Sequence, residues 1–197
     1  MPKTTKYDAN FTAGGILFNE FKAIEHILLN PDFSKLMKVE SEENNFIGIA
    51  TKSARKRVIQ EINRRYQQVG PEFWQNYISW SDYDQRLGLF YLCLKAYPIV
   101  LDIHLEVALK KYQTGLPLEA YDIQMRLEEI MSNDDYVASW SESTIKKINL
   151  QYRKALKEVD LISDTKLQAP SKASVILWDY FKEINELWFL KACFINS

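Results

Sequence analysis

The chain has 197 residues, 47% of them hydrophobic, with 25 Lys and Arg against 26 Asp and Glu for a net charge of −1. That is apolar material for one sizeable core or two small ones, so the chain belongs with globular proteins, not disordered ones. Six Gly and six Pro, with no Ser/Gly or charged low-complexity run, leave no flexible linker, and no repeated period points to a solenoid.

In chain order, "MPKTTKYDANF" lacks the apolar core of a signal peptide. Ile16, Leu17, Phe21, Ile24, Ile27 and Leu28 then make one apolar stripe, predicting a helix from about 13 to 29 that Pro31 closes. Gly14-Gly15 reads as its tight start. A short helix follows from Asp32 to about Val39, then an acidic polar loop, "ESEENN". Thr51 or Ser53 caps a helix over 53–69, stopped by Gly70-Pro71. Helices are expected over 72–78 and over 82–97, the latter with Ser81 and Asp84 as a capping box. Pro98 breaks or kinks the chain before a further helix to Tyr112, and 118–131 reads as an acidic amphipathic helix.

After "SNDDYVASW", Ser141 or Ser143 caps a helix running to about Val159. "DLISDTKLQAP" reads as a short hairpin turning at Ser163-Asp164-Thr165, and a final apolar helix starts near Ser171. The class is mainly α, a compact multi-helix protein with at most one small β element. A division near residue 115 is expected, with an N-terminal helical region over 1–115 and a helix-turn-helix-like region over 116–197, unless the two form one continuous domain.

"LGLFYLCLKAYPIVL" is interrupted by Lys95 and Pro98, and "LWFLKACFI" by Lys191. Neither supplies the roughly 18–20 apolar residues a span needs, so a cytoplasmic protein without membrane contact is expected. Cys93 and Cys193, far apart and in apolar surroundings, read as buried thiols.

Charge is segregated along this chain. Lys52 to Arg65 holds six Lys or Arg against one Glu, and Ser143 to Lys157 holds Lys146, Lys147, Arg153, Lys154 and Lys157 without an acid. The two windows sum to +10, leaving −11 for the rest. On the first helix Val58, Ile59, Ile62, Tyr66 and Val69 face inward, while Lys56, Arg57, Gln60, Asn63, Arg64 and Gln67 face outward with Lys52 at the start. Arg55 and Arg65 lie nearer the apolar side, where acids inside the fold are one destination for them. On the second, Ile145, Ile148, Tyr152, Leu156 and Val159 face inward, opposite Lys146, Leu150, Arg153, Lys154 and Lys157. Arg and Lys match phosphate oxygens and guanine edges, and Gln and Asn pair with adenine, so both faces suit duplex DNA. A turn, a basic helix and a hairpin also make the order of a helix-turn-helix with a small wing. The competing reading is a charged face that merely keeps each helix solvated.

"YDANFTAGGILFNEF", "ENNFIGIATKSARKRVIQEINRRY" and "WSESTIKKINLQYRKALKEVDLI", in this order, resemble the BrxA family of BREX bacteriophage-exclusion systems. The resemblance implies a mainly helical, DNA-binding accessory protein of an antiphage locus that also encodes a DNA methyltransferase, a phosphatase-like protein and a large ATPase. It implies DNA-facing roles for Lys56, Arg57 and Arg64, and for Ser143, Thr144, Lys146 and Lys147 at a helix start.

Catalytic raw material is thin. The only histidines are His26 and His104. "DIHLE" sets Asp102 and Glu106 one helical turn apart with His104 on another face, a two-carboxylate pair or, more simply, a solvated edge. No GxxxxGK[ST], GxGxxG or GxSxG motif occurs, so neither cofactor nor metal is expected. The acid-x-Lys pairs Glu20-Lys22 and Asp164-Lys166 lack a supporting acid cluster for a nuclease. The leading expectation is a non-enzymatic double-stranded DNA binder within a BREX system, with other BREX components as further partners and no oligomeric state assigned. The alternative is a protein-protein scaffold using the aromatic C-terminal "SVILWDYFKEINELWFLKACFI".

Overall fold

The computed structural model describes residues 5–195, which fall into two units. Residues 16–96 form an inserted unit, and residues 5–15 with 97–195 form a flanking unit, so residue 115 lies inside the latter. Both are mainly α.

In the inserted unit, α1 (Phe18–Ala23) leads through a 3₁₀ turn (Glu25–Ile27) to α2 (Phe33–Glu43), α3 (Lys52–Tyr66), α4 (Pro71–Tyr77) and α5 (Asp82–Ala96). Helix α5 carries the continuous apolar run Leu87–Leu94, buried on all sides, and α1, α3 and α4 pack on it. Ser81 and Asp84 pair at its start as the sequence suggests, the Ser81 hydroxyl accepting from the Asp84 N–H at 3.1 Å and donating to its carboxylate at 2.9 Å. Gly88 gives the ring of Trp80 its seat, since a Cβ there would lie 2.8 Å from the indole.

Two expectations fail in this unit. The helix over 13–29 does not run through: Gly15 and Leu17 are left-handed at φ 64° and 58°, so α1 starts only at Phe18, and a non-helical Ile24 at φ −106° and ψ 7° ends it. The buried Arg65 donates to the Ile16 carbonyl at 2.7 Å, a contact 49 residues long in sequence that supplies the broken turn with a partner. The "ESEENN" loop is mostly helix, because α2 continues through Glu40–Glu43 to a left-handed Asn44. Glu40 is fully buried there, and its carboxylate accepts from the N–H groups of Asn45, Phe46 and Ile47 at 2.7, 3.1 and 2.9 Å. An acid otherwise costly to bury thus has three donors.

In the flanking unit a 3₁₀ turn (Asn10–Ala13) precedes α6 (Pro98–Ile103), a π-helical stretch (His104–Leu109), α7 (Lys110–Gln113), α8 (Ala120–Asn133) and the one-turn α9 (Asp135–Ala138). Then follow α10 (Glu142–Glu158), β1 (Ile162–Ser163), β2 (Lys166–Leu167), α11 (Val175–Glu183) and α12 (Leu187–Ala192). Helix α10 packs on α8 and on the Asn10–Ala13 turn, burying Ile145, Ile148, Tyr152 and Leu156. A left-handed Asp160 ends it, and the hairpin pairs Ile162 with Leu167 and Ser163 with Lys166. Its turn is Asp164-Thr165, one residue tighter than expected. The last helix begins at Val175, capped by Ser174, and breaks at a left-handed Asn185 into α11 and α12. Cys93 and Cys193 are free and buried.

Candidate nucleic-acid interface

Helix α3 is held by α2. Arg55 is buried and donates to the carbonyls of Ser41, Glu42 and Ile49 at 3.0, 3.1 and 2.7 Å, clamping the C-terminal turn of α2 against the start of α3. That clamp brings Glu42 between Lys52 and Lys56, with one carboxylate oxygen on each ammonium group; the Lys56 contact is 3.0 Å. The two lysines hold the Glu42 carboxyl well below its ordinary range, at about 2. The outward face of α3 is therefore not free of acid, as its own sequence suggests. The acid comes from the run read as a loop. Arg57 and Gln60 are exposed on the outer surface. Arg64 is half-buried, and its Nε lies 3.5 Å from the buried Glu61.

Helix α10 is built to project a row of cations. Ser141 caps it, accepting from the Thr144 N–H at 3.2 Å, and its Oγ lies 2.9 Å from the hydroxyls of both Ser143 and Thr144. Ser143 is exposed and Thr144 half-buried, so the first turn presents a small hydroxyl cluster. At 100° per residue, Ser143, Lys147, Leu150, Lys154 and Lys157 fall within an arc of about 80°. All five are exposed. Lys147 and Lys157 have no ion pair among the described residues. Lys146 pairs with Glu142 at 2.5 Å, holding that carboxyl below its usual range, and Lys154 reaches Glu158 at 3.6 Å. Arg153 is half-buried and donates to Asn149 at 3.2 Å, while Asn149 donates to the Ala120 carbonyl at the start of α8. Both partners of the Lys146–Glu142 pair are exposed, and the Lys154–Glu158 pair joins an exposed lysine to a half-buried glutamate, so both are weak and phosphate can replace the carboxylate at small cost.

The other chemistry singled out in the sequence is engaged elsewhere. Asp102 takes the Arg126 guanidinium on both oxygens, at 2.7 and 3.1 Å, and the Tyr7 hydroxyl at 2.8 Å. Glu106 pairs with Lys110 at 2.5 Å. The Asp102 and Glu106 carboxylates thus have separate cationic partners. His104 is fully buried, with Nε2 2.7 Å from the Ala192 carbonyl and Nδ1 2.9 Å from the Tyr152 hydroxyl. A carbonyl only accepts, so Nε2 carries the proton and Nδ1 accepts from Tyr152. Among the described residues no three His, Cys, Asp or Glu stand together as a metal site, and no helix is long and apolar enough to cross a membrane.

Comparison with known proteins places this architecture. The BREX protein BrxA of Paramagnetospirillum magneticum is 22% identical over 191 residues, 94% of this chain and 95% of that one. A crystal structure of an uncharacterized protein from Magnetospirillum magneticum shares the fold, with a TM-score of 0.76 at 19% identity over 96% of this chain and 98% of that one. The BrxA family model matches residues 5–174, and the chain belongs to the BrxA family.

Proposed function

We propose that this BREX component binds double-stranded DNA without catalysing a reaction on it, with α10 as the principal contact and α3 as a second. The observation that carries this reading is the exposed row on α10, in which Lys147, Lys154 and Lys157 share one narrow arc with Ser143. A three-residue turn after α9 leads into this helix and a two-stranded hairpin follows it, the order in which winged helix-turn-helix proteins present a helix to the major groove. Lysines in a row contact phosphates, and the Ser143 hydroxyl and the Gln60 amide add hydrogen-bonding groups for base edges.

Fluorescence anisotropy of a labelled random-sequence duplex tests the proposal. If about six phosphates are contacted, affinity falls roughly a thousandfold between 50 and 200 mM salt. The Lys147→Glu/Lys154→Glu/Lys157→Glu variant should keep its helical circular dichroism and lose binding. A salt response near zero, or equal binding by the folded triple variant, overturns the assignment to α10.

A second reading, a protein-protein scaffold, is favoured by the C-terminal helices. Val175 and Ile176 are each 70% exposed, and Ile184 and Leu187 add apolar surface. Light scattering of the isolated protein and pull-down with other BREX components test it, and Val175→Ser/Ile176→Ser should weaken any complex found.

A further inference from the structure

One member of the α10 row does not fit a purely electrostatic contact. Leu150 is 57% exposed at the middle of the helix, with Lys146 and Lys147 on the turn before it and Arg153 and Lys154 on the turn after. Phosphate gives an aliphatic side chain nothing to bind. The surrounding cations, Lys147 without an ion pair among the described residues and Lys146 and Lys154 held only by carboxylates of α10 itself, give this position a positive setting that suits a polyanion better than an ordinary apolar protein partner. Resting on the DNA-binding reading, we propose that Leu150 is a base-reading residue that packs on the C5-methyl group of thymine when α10 lies in the major groove.

The argument is one of complementarity. The major groove is about 12 Å wide and admits one α-helix. A helix lying in it turns its central exposed row to the base edges and the flanking long cations to the phosphate walls. Leu150 lies about 20° from the centre of the 80° arc defined above, where Ser143 sits two turns earlier, with Lys147 and Lys157 at the two edges. Among the groups that base pairs display in that groove, the thymine methyl is the apolar one. Leucine makes no hydrogen bonds, so it senses only the presence or absence of that methyl. Burying one methyl against it corresponds to a factor of about four in affinity.

The test uses two versions of one random-sequence duplex pool, identical except that deoxyuridine replaces thymidine throughout the second. Both are titrated by anisotropy with the wild-type protein and with Leu150→Ala, whose folding is checked by circular dichroism. The expected result is a preference of about two- to fourfold for the thymidine duplex in the wild type and no preference in Leu150→Ala. Equal wild-type binding to the two duplexes overturns the inference and leaves DNA binding standing. A preference that persists in Leu150→Ala also overturns it, by placing the methyl contact elsewhere. Wild-type protein that binds neither duplex removes the DNA-binding reading itself and the inference with it.

Discussion

His104 makes the stability of the flanking unit depend on pH in a way that can be worked out from its surroundings. The ring is fully buried, and burial pushes its pKa down to about 4 from the ordinary 6.5, only partly opposed by the hydrogen bond to the Ala192 carbonyl. In the unfolded chain the ring titrates near 6.5. Between the two values the unfolded state binds more protons than the folded one. The stabilisation is therefore complete above about pH 6.5 and is lost as the pH falls toward 4. A difference of about 2.5 pKa units corresponds to roughly 3 kcal/mol, a large share of a typical domain's stability. Urea unfolding of wild type and of His104→Gln, compared at several pH values, isolates this contribution, because the carboxylates common to both proteins cancel in the difference. The wild type should lose about 3 kcal/mol relative to the variant between pH 7 and pH 4. With two histidines in the chain, the ring signal of His104 can also be followed directly by NMR. A His104 ring that titrates near 6.5, or a stability difference flat across the range, refutes the reasoning.

Two further predictions concern the inserted unit. Glu42→Gln removes the carboxylate shared by Lys52 and Lys56, so if those lysines contact phosphates the variant should bind duplex DNA more tightly, with a log-log salt slope steeper by up to about 1.8; an unchanged slope and affinity would remove α3 from the interface. Gly88→Ala drives a Cβ to 2.8 Å from the buried Trp80 ring, and the overpacking cost, at the upper end of about 1–3 kcal/mol, should exceed the roughly 1 kcal/mol of helix propensity that alanine adds. Denaturant unfolding decides that case, and a variant at least as stable as the wild type would mean that Trp80 moves aside freely.

The parts of the fold legible in the sequence are those whose causes are local. A serine cap at 141 or 143, the inward row Ile145, Ile148, Tyr152 and Leu156, and the pairing of Ser81 with Asp84 at the start of α5 all depend on residues a few positions apart. The hairpin after α10 was readable for the same reason. The parts that were not legible depend on partners distant in the chain. Nothing within residues 13–29 reveals that Arg65 will take the Ile16 carbonyl. Glu40 looked like loop acid because its three partners are backbone N–H groups, which leave no mark in side-chain composition. The candidate interface divides in the same way. Lys154 and Lys157 on the outer face of α10 follow from spacing alone, but Lys147 joins the exposed row where the face drawn from the sequence has Lys146 and Arg153, and the partial neutralisation of Lys52 and Lys56 required the Arg55 clamp that brings Glu42 across from α2.

The interruption of the flanking unit by residues 16–96 also imposes an order on biosynthesis. A chain emerging from the ribosome at about 5–20 residues per second folds its units as they become complete. Residues 5–15 emerge first, yet their partners lie far downstream: the Thr5 hydroxyl donates to Asp134, 129 positions later, and the Asn10–Ala13 turn packs on α10. The inserted unit has all of its sequence by residue 96 and can close while the opening segment is still waiting. Helix α10 can dock on α8 and on the Asn10–Ala13 turn only once residue 158 has emerged, so newly made protein is complete in its inserted unit before its flanking unit can close.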